Sequence, residues 1–80
     1  MTKRLKLRKV GQSPECFVAM EYESDAYLSY AHVAEMPDIS WQSSSLPTEL
    51  IIALLRDRGW HGTDIGDELD EARKHAVAAA

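Results

Sequence analysis

The feature that most constrains this chain is its opening alternation: Leu5 and Leu7 sit at every second position between Arg4, Lys6 and Arg8. A period of two puts leucines on one side of an extended strand and cations on the other, whereas a helix would scatter both around its circumference. Gly11-Gln12-Ser13-Pro14 supplies turn chemistry directly afterwards, and Cys16 to Glu23 follows as a second run rich in strand-forming residues. A hairpin is therefore predicted over residues 3–23. In its second strand Cys16, Val18, Met20 and Tyr22 share one face and Phe17, Ala19, Glu21 and Glu23 the other.

After the turn at Glu23-Ser24-Asp25, residues 26–36 suit a strand, with a helix capped by Ser24 or Asp25 as the competing reading, and Ile39 to Trp41 suits a short strand. The second half carries a helical period. Ser45 is an N-cap candidate, Pro47 fits a first turn, and Leu46, Leu50, Ile51, Ala53, Leu54 and Leu55 make a wide apolar face. Gly59 fits a left-handed stop with Trp60 just beyond it. A second helix is predicted from Thr63, with Asp64, Asp67 and Glu68 in its first turns and Arg73, Lys74 and His75 in its last. The expectation is one α+β domain over residues 1–80, with a small antiparallel sheet of three to four strands within 3–43, then helices at about 46–58 and 63–78.

At 80 residues the chain is too short for two hydrophobic cores, and its single core must be thin. The apolar run Leu50 to Leu55 falls far short of the ~20 residues that cross a bilayer, and Lys3 to Lys9 lacks the apolar stretch of a signal peptide, so a cytoplasmic protein without membrane association is predicted. Charge is segregated. Five of the 9 basic residues (Lys3, Arg4, Lys6, Arg8 and Lys9) lie in the first ten positions, which hold no acid, so the remaining 4 face all 13 acidic groups. The body at −9 repels phosphates and favours a basic protein partner, while the basic strand is the candidate for any contact with nucleic acid. The alternative for Arg4, Lys6 and Arg8 is the solvated face of a strand whose cations discourage edge pairing.

Catalytic chemistry finds no foothold. Cys16 is the only cysteine, which excludes an internal disulfide, and no base adjoins it to make a nucleophile. His61, Asp64 and Asp67 are spaced as capping and dipole-complementing residues rather than as metal ligands. Asp67, Glu68, Asp70 and Glu71 spread too widely around a helix to act as a catalytic pair. No cofactor motif is present.

Three stretches carry a resemblance: Phe17 to Glu23, then Ala26-Tyr27-Leu28-Ser29-Tyr30, then Met36-Pro37-Asp38-Ile39-Ser40-Trp41-Gln42, with Ser45-Leu46 opening an apolar helix. Across about residues 17–55 the chain resembles the strand-strand-strand-helix core of HicB-type antitoxins, small proteins that neutralise a basic RNA-cleaving toxin. It departs from that pattern where Asp38 and Ser43 replace glycines and where Pro47 and Thr48 replace acids at the helix start.

The resulting expectation is a non-catalytic, acidic protein-binding module, antitoxin-like or a phage-type inhibitor, acting on a basic nucleic-acid-handling protein. Trp60, Asp64, Asp67, Glu68, Asp70 and Glu71 are its predicted partner-binding residues, with Trp41 as a second candidate anchor. The alternative is a small nucleic-acid-binding regulator using Lys3, Arg4, Lys6, Arg8 and Lys9. The first strand, if it lies at a sheet edge, further predicts a homodimer.

Overall fold

The structure, a computed structural model, describes residues 3–23 and 39–79. It shows an antiparallel sheet followed by two helices, the α+β architecture that the sequence predicts. Strands β1 (Lys3–Val10) and β2 (Cys16–Glu23) form the expected hairpin, in register from Lys3 opposite Glu23 to Val10 opposite Cys16. Gly11 turns the chain at φ 80°, a left-handed value that favours glycine.

On the other side of β2 lie β3 (Ile39–Gln42) and the two-residue β4 (Leu46–Pro47), both antiparallel to it. Trp41 pairs with Glu21 but Ile39 pairs with Tyr22, so Ser40 is an extra residue that bulges the strand. Between β3 and β4 Ser43 extends the ladder. Ser43 donates its amide to the Ala19 carbonyl (3.0 Å), and its hydroxyl accepts from the Ala19 amide (3.0 Å).

The helices α1 (Thr48–Asp57) and α2 (Gly62–Ala79) cover one face of the sheet. Register fixes that face: Leu5, Leu7, Phe17 and Ala19 point toward it and are buried together with Ile51 and Leu55 from α1 and Ile65, Leu69 and Ala72 from α2. Trp41, Leu46, Ile52 and Trp60 close its margins. Ile65, Leu69 and Ala72 form a narrow apolar stripe along the second helix.

Three expectations need correction. The first helix begins at Thr48, not at 46, and Ser45 does not cap it; Pro47 occupies the N-cap without a side-chain hydrogen bond. The reason is competition from the sheet, since Leu46 and Pro47 pair with Phe17 and Cys16. The apolar face of α1 is also wider than the core it serves, because only Ile51 and Leu55 are buried, Ala53 is exposed, and Leu50 is 56% exposed. Finally, Lys6 is not a solvated strand cation but 3% exposed. The expectation for residues 26–36 lies outside the described residues.

Candidate functional site

The polar architecture centres on two glutamates that enter the helix-covered side of the sheet. Glu21 lies on β2 in the same facial stripe as Phe17 and Ala19, opposite Leu5 on one side and Trp41 on the other, and is fully buried. A buried carboxylate persists only when its oxygens are satisfied. Arg58 donates from Nε to both oxygens (3.2 Å each) and from Nη2 to Oε2 (2.7 Å), Trp60 Nε1 donates to Oε1 (3.1 Å), and Lys3 Nζ stands 3.7 Å away. The Arg58 guanidinium also lies over the Trp41 ring, 4.1 Å from its centroid. Burial pushes the Glu21 pKa up, but the Arg58 and Trp60 hydrogen bonds with the charges of Arg58 and Lys3 outweigh it and hold the pKa below the ordinary value.

The chain delivers these donors through the end of α1. Gly59 at φ 99° makes the Schellman stop that the sequence predicts: its amide bonds the Arg56 carbonyl (3.0 Å) and the Trp60 amide bonds the Leu55 carbonyl (3.0 Å). The left-handed residue sits between Arg58 and Trp60 and turns both side chains onto one carboxylate.

Glu15, just before β2, gathers a second set. Arg73 of α2 forks it, Nε to Oε2 at 3.0 Å and Nη2 to Oε1 at 2.7 Å, while Thr48 at the start of α1 donates its hydroxyl to Oε1 (3.0 Å) and Lys9 Nζ lies 3.6 Å away. The Arg73 hydrogen bond, helped by Thr48 and the charges of Arg73 and Lys9 against opposing burial, holds the Glu15 pKa down to about 2. Arg73 also lies over Phe17 at 5.6 Å. One carboxylate thus pins both helices to the sheet.

The predicted site residues divide between structural and surface roles. Among the basic residues, Lys3 and Lys9 reach Glu21 and Glu15, and Lys6 reaches Glu68 at 3.8 Å. Lys6 shares its face with Met20, away from the helices, and the β1–β2 ladder closes its inner side. Its side chain therefore passes the outer edge of β1 to meet α2. Arg4 is half-buried and Arg8 exposed. On α2, Asp64, Asp67 and Asp70 are exposed and Glu68 and Glu71 half-buried. Glu71 meets His75 Nε2 at 3.1 Å, and Asp70 stands 3.7 Å from Arg73 Nη1. Trp60 and Trp41 are half-buried at the margin of the core.

Sequence reasoning missed Glu15 and Glu21. For Glu21 a signal existed: a carboxylate in the stripe of Phe17 and Ala19 demands a cation, and Arg58 beside the predicted helix stop could supply it. Glu15 gave none, because Arg73 is 58 residues away in the chain.

A groove of about 350 Å³ opens on the sheet face opposite the helices, lined by Arg8, Val10, Val18, Met20, Ile39 and Gln42. Among the described residues no three His, Cys, Asp or Glu side chains come together in a way that could hold a metal ion, and no helix is long and apolar enough to cross a membrane. No family model, curated protein or solved structure matches the chain.

Proposed function

We propose that this protein is a non-catalytic binding module, antitoxin-like or a phage-type inhibitor, that covers a basic surface of a nucleic-acid-handling protein. One observation carries the reading: three of the five N-terminal cations are taken up by the chain's own carboxylates, whereas Asp64 and Asp67 stand exposed on α2 and, among the described residues, form no ion pair. The charge left for an incoming partner is therefore negative. Long-range attraction of this kind accelerates encounter with a basic surface and rejects acidic ones. The HicB-type resemblance supports a partner of the same chemistry, a basic RNA-cleaving protein. The reading as a nucleic-acid-binding regulator has less support, since Lys3, Lys6 and Lys9 each lie within ion-pair distance of a carboxylate.

The test is co-purification with mass spectrometry, followed by binding kinetics on the protein recovered. A stoichiometric basic partner is expected, with an association rate that falls as salt rises. Changing Asp64, Asp67 and Asp70 together to Ser should slow association about tenfold at low salt. A nucleic-acid ligand without a protein partner, or an unchanged association rate, defeats the reading.

A further inference from the structure

The sheet face opposite the helices reverses the chain's overall charge. The register turns Arg4, Lys6 and Arg8 of β1, Met20 and Tyr22 of β2 and Gln42 of β3 onto that face, and none of the described strand residues on it is acidic. In a chain of net charge −4, an anion meets the least repulsion there. The groove described above opens on this face. Met20 is buried in its lining, Val18 and Ile39 are half-buried, and Val10 is 38% exposed. Two polar side chains interrupt the apolar lining, Arg8 and Gln42, both exposed. Among the described residues neither side chain has a hydrogen bond or an ion pair.

We propose that this groove binds the C-terminal end of an apolar peptide from a partner protein, with the terminal carboxylate on Arg8. A guanidinium offers a fork of N–H donors that fits a carboxylate with two parallel hydrogen bonds. The carboxamide of Gln42 both donates and accepts, which matches the two functions of a backbone peptide group. Arg8 pairs with Val18 and Gln42 with Met20, so the two polar residues lie two strands apart and one same-face step along β2, about 12 Å between Cα atoms. Three extended residues span about 10 Å, and the side chains at both ends of the groove close the remainder. Between the two polar ends the peptide's apolar side chains meet Val18 and Met20. A fatty acid would satisfy Arg8 but set hydrocarbon against the Gln42 amide. A phosphate backbone calls for a row of available cations, and Lys6 already stands 3.8 Å from Glu68.

The site is small. Its volume of about 350 Å³ lies at the low end of ligand pockets, and a single charged anchor supports a dissociation constant on the order of hundreds of micromolar. It lies across the sheet from α2 and does not rest on the function proposed above.

An NMR titration of the isotope-labelled full chain tests the proposal, with acetyl-Leu-Val-Leu, the same peptide amidated at its C-terminus, and octanoate as probes. Saturable shifts are expected at Val10, Val18 and Ile39 with acetyl-Leu-Val-Leu, weakening as salt rises. Amidation of the peptide or Arg8→Gln should each weaken binding about tenfold. Gln42→Leu should weaken acetyl-Leu-Val-Leu about fivefold and leave octanoate no weaker. Arg8 and Gln42 are both on the surface, and far-ultraviolet circular dichroism confirms that each variant keeps the fold. Equal binding of the amidated peptide, octanoate binding as tightly as the peptide, shifts confined to α2, or no saturation with acetyl-Leu-Val-Leu up to about 5 mM overturns it.

Discussion

Arg73 grips Glu15 with two parallel hydrogen bonds, 3.0 Å from Nε and 2.7 Å from Nη2, across 58 residues of sequence. The same carboxylate holds Thr48, so the approach to β2 is the point at which the sheet, the start of α1 and the middle of α2 are tied together. Glu21 repeats the device near the far end of β2 with Arg58 and Trp60. Between the two glutamates the core is thin and apolar, which leaves these forks to orient the helices on it.

Glu15→Gln should cost about 1 kcal/mol near neutral pH, the low side for a forked charge pair because Arg73 is 40% exposed. The pH dependence has a definite sign. Glu15 titrates near 4.5 when unconstrained and at about 2 in the folded chain, so the unfolded state binds the proton first. Its contribution is complete above about pH 5 and disappears as pH falls through 4.5 toward 2. Urea denaturation near pH 7 and near pH 3 checks this: the parent chain should lose more stability on acidification than Glu15→Gln, and parallel losses would show that the pair contributes nothing.

Glu21→Ala should be more costly, about 2–3 kcal/mol, because it removes a fully buried acceptor and strands the Trp60 indole N–H that it satisfied. Glu21→Gln retains one acceptor oxygen and should recover part of that loss. Tryptophan emission reports the local consequence, since both tryptophans border this carboxylate. A red shift in the native state of Glu21→Ala is expected, and an unchanged spectrum with unchanged stability would mean that the cluster is decoration.

Two glycines make opposite predictions from the same measurement. An added Cβ at Gly59 or at Gly66 meets nothing within 4 Å, so neither substitution is limited by space. Gly59 has φ 99°, where an L residue is strained, and Gly59→Ala should cost about 1 kcal/mol and loosen the turn that aims Arg58 and Trp60. Gly66 lies within α2 at ordinary helical geometry, and Gly66→Ala should stabilise by up to about 1 kcal/mol. Thermal melts separate them, each kcal/mol being worth roughly 4–8 °C in a domain of this size.

What the sequence made legible was local. The period of two in β1, the turn at Gly11 and the helix stop at Gly59 are each dictated by neighbouring residues, and all three are present. The start of α1 was misplaced because Leu46 and Pro47 answer to Cys16 and Phe17, some thirty residues earlier, rather than to the helix they precede. Lys6 was misread for a related reason. Alternation says which way a side chain leaves the strand, but not that a long one will turn back past the edge to a carboxylate on another element. In the same way the sequence groups Asp64, Asp67, Glu68 and Glu71 as one partner-binding set, although Glu68 and Glu71 have taken partners within the chain while Asp64 and Asp67 form no ion pair among the described residues.

That division can be tested on adjacent residues. Asp67 is exposed, and Asp67→Ala should change stability by no more than about 0.5 kcal/mol. Glu68 stands 3.8 Å from the ammonium of Lys6, whose side chain is only 4% exposed, so Glu68→Ala withdraws a counter-charge from a cation that water barely reaches. The expected cost is about 1–2 kcal/mol, reduced from that of a fully buried pair because the separation is long and Glu68 keeps some exposure. Replacing both, Lys6→Met with Glu68→Leu, removes the charge together with its partner and should restore most of the loss. Among the described residues β1 pairs only with β2, and the pair lies beside the other edge of this eight-residue strand, whose backbone could otherwise meet another chain. Glu68→Ala should therefore aggregate faster than Asp67→Ala under identical heating, followed by light scattering. Equal stability and equal aggregation of the two alanine variants would show that the edge is guarded by something other than this pair.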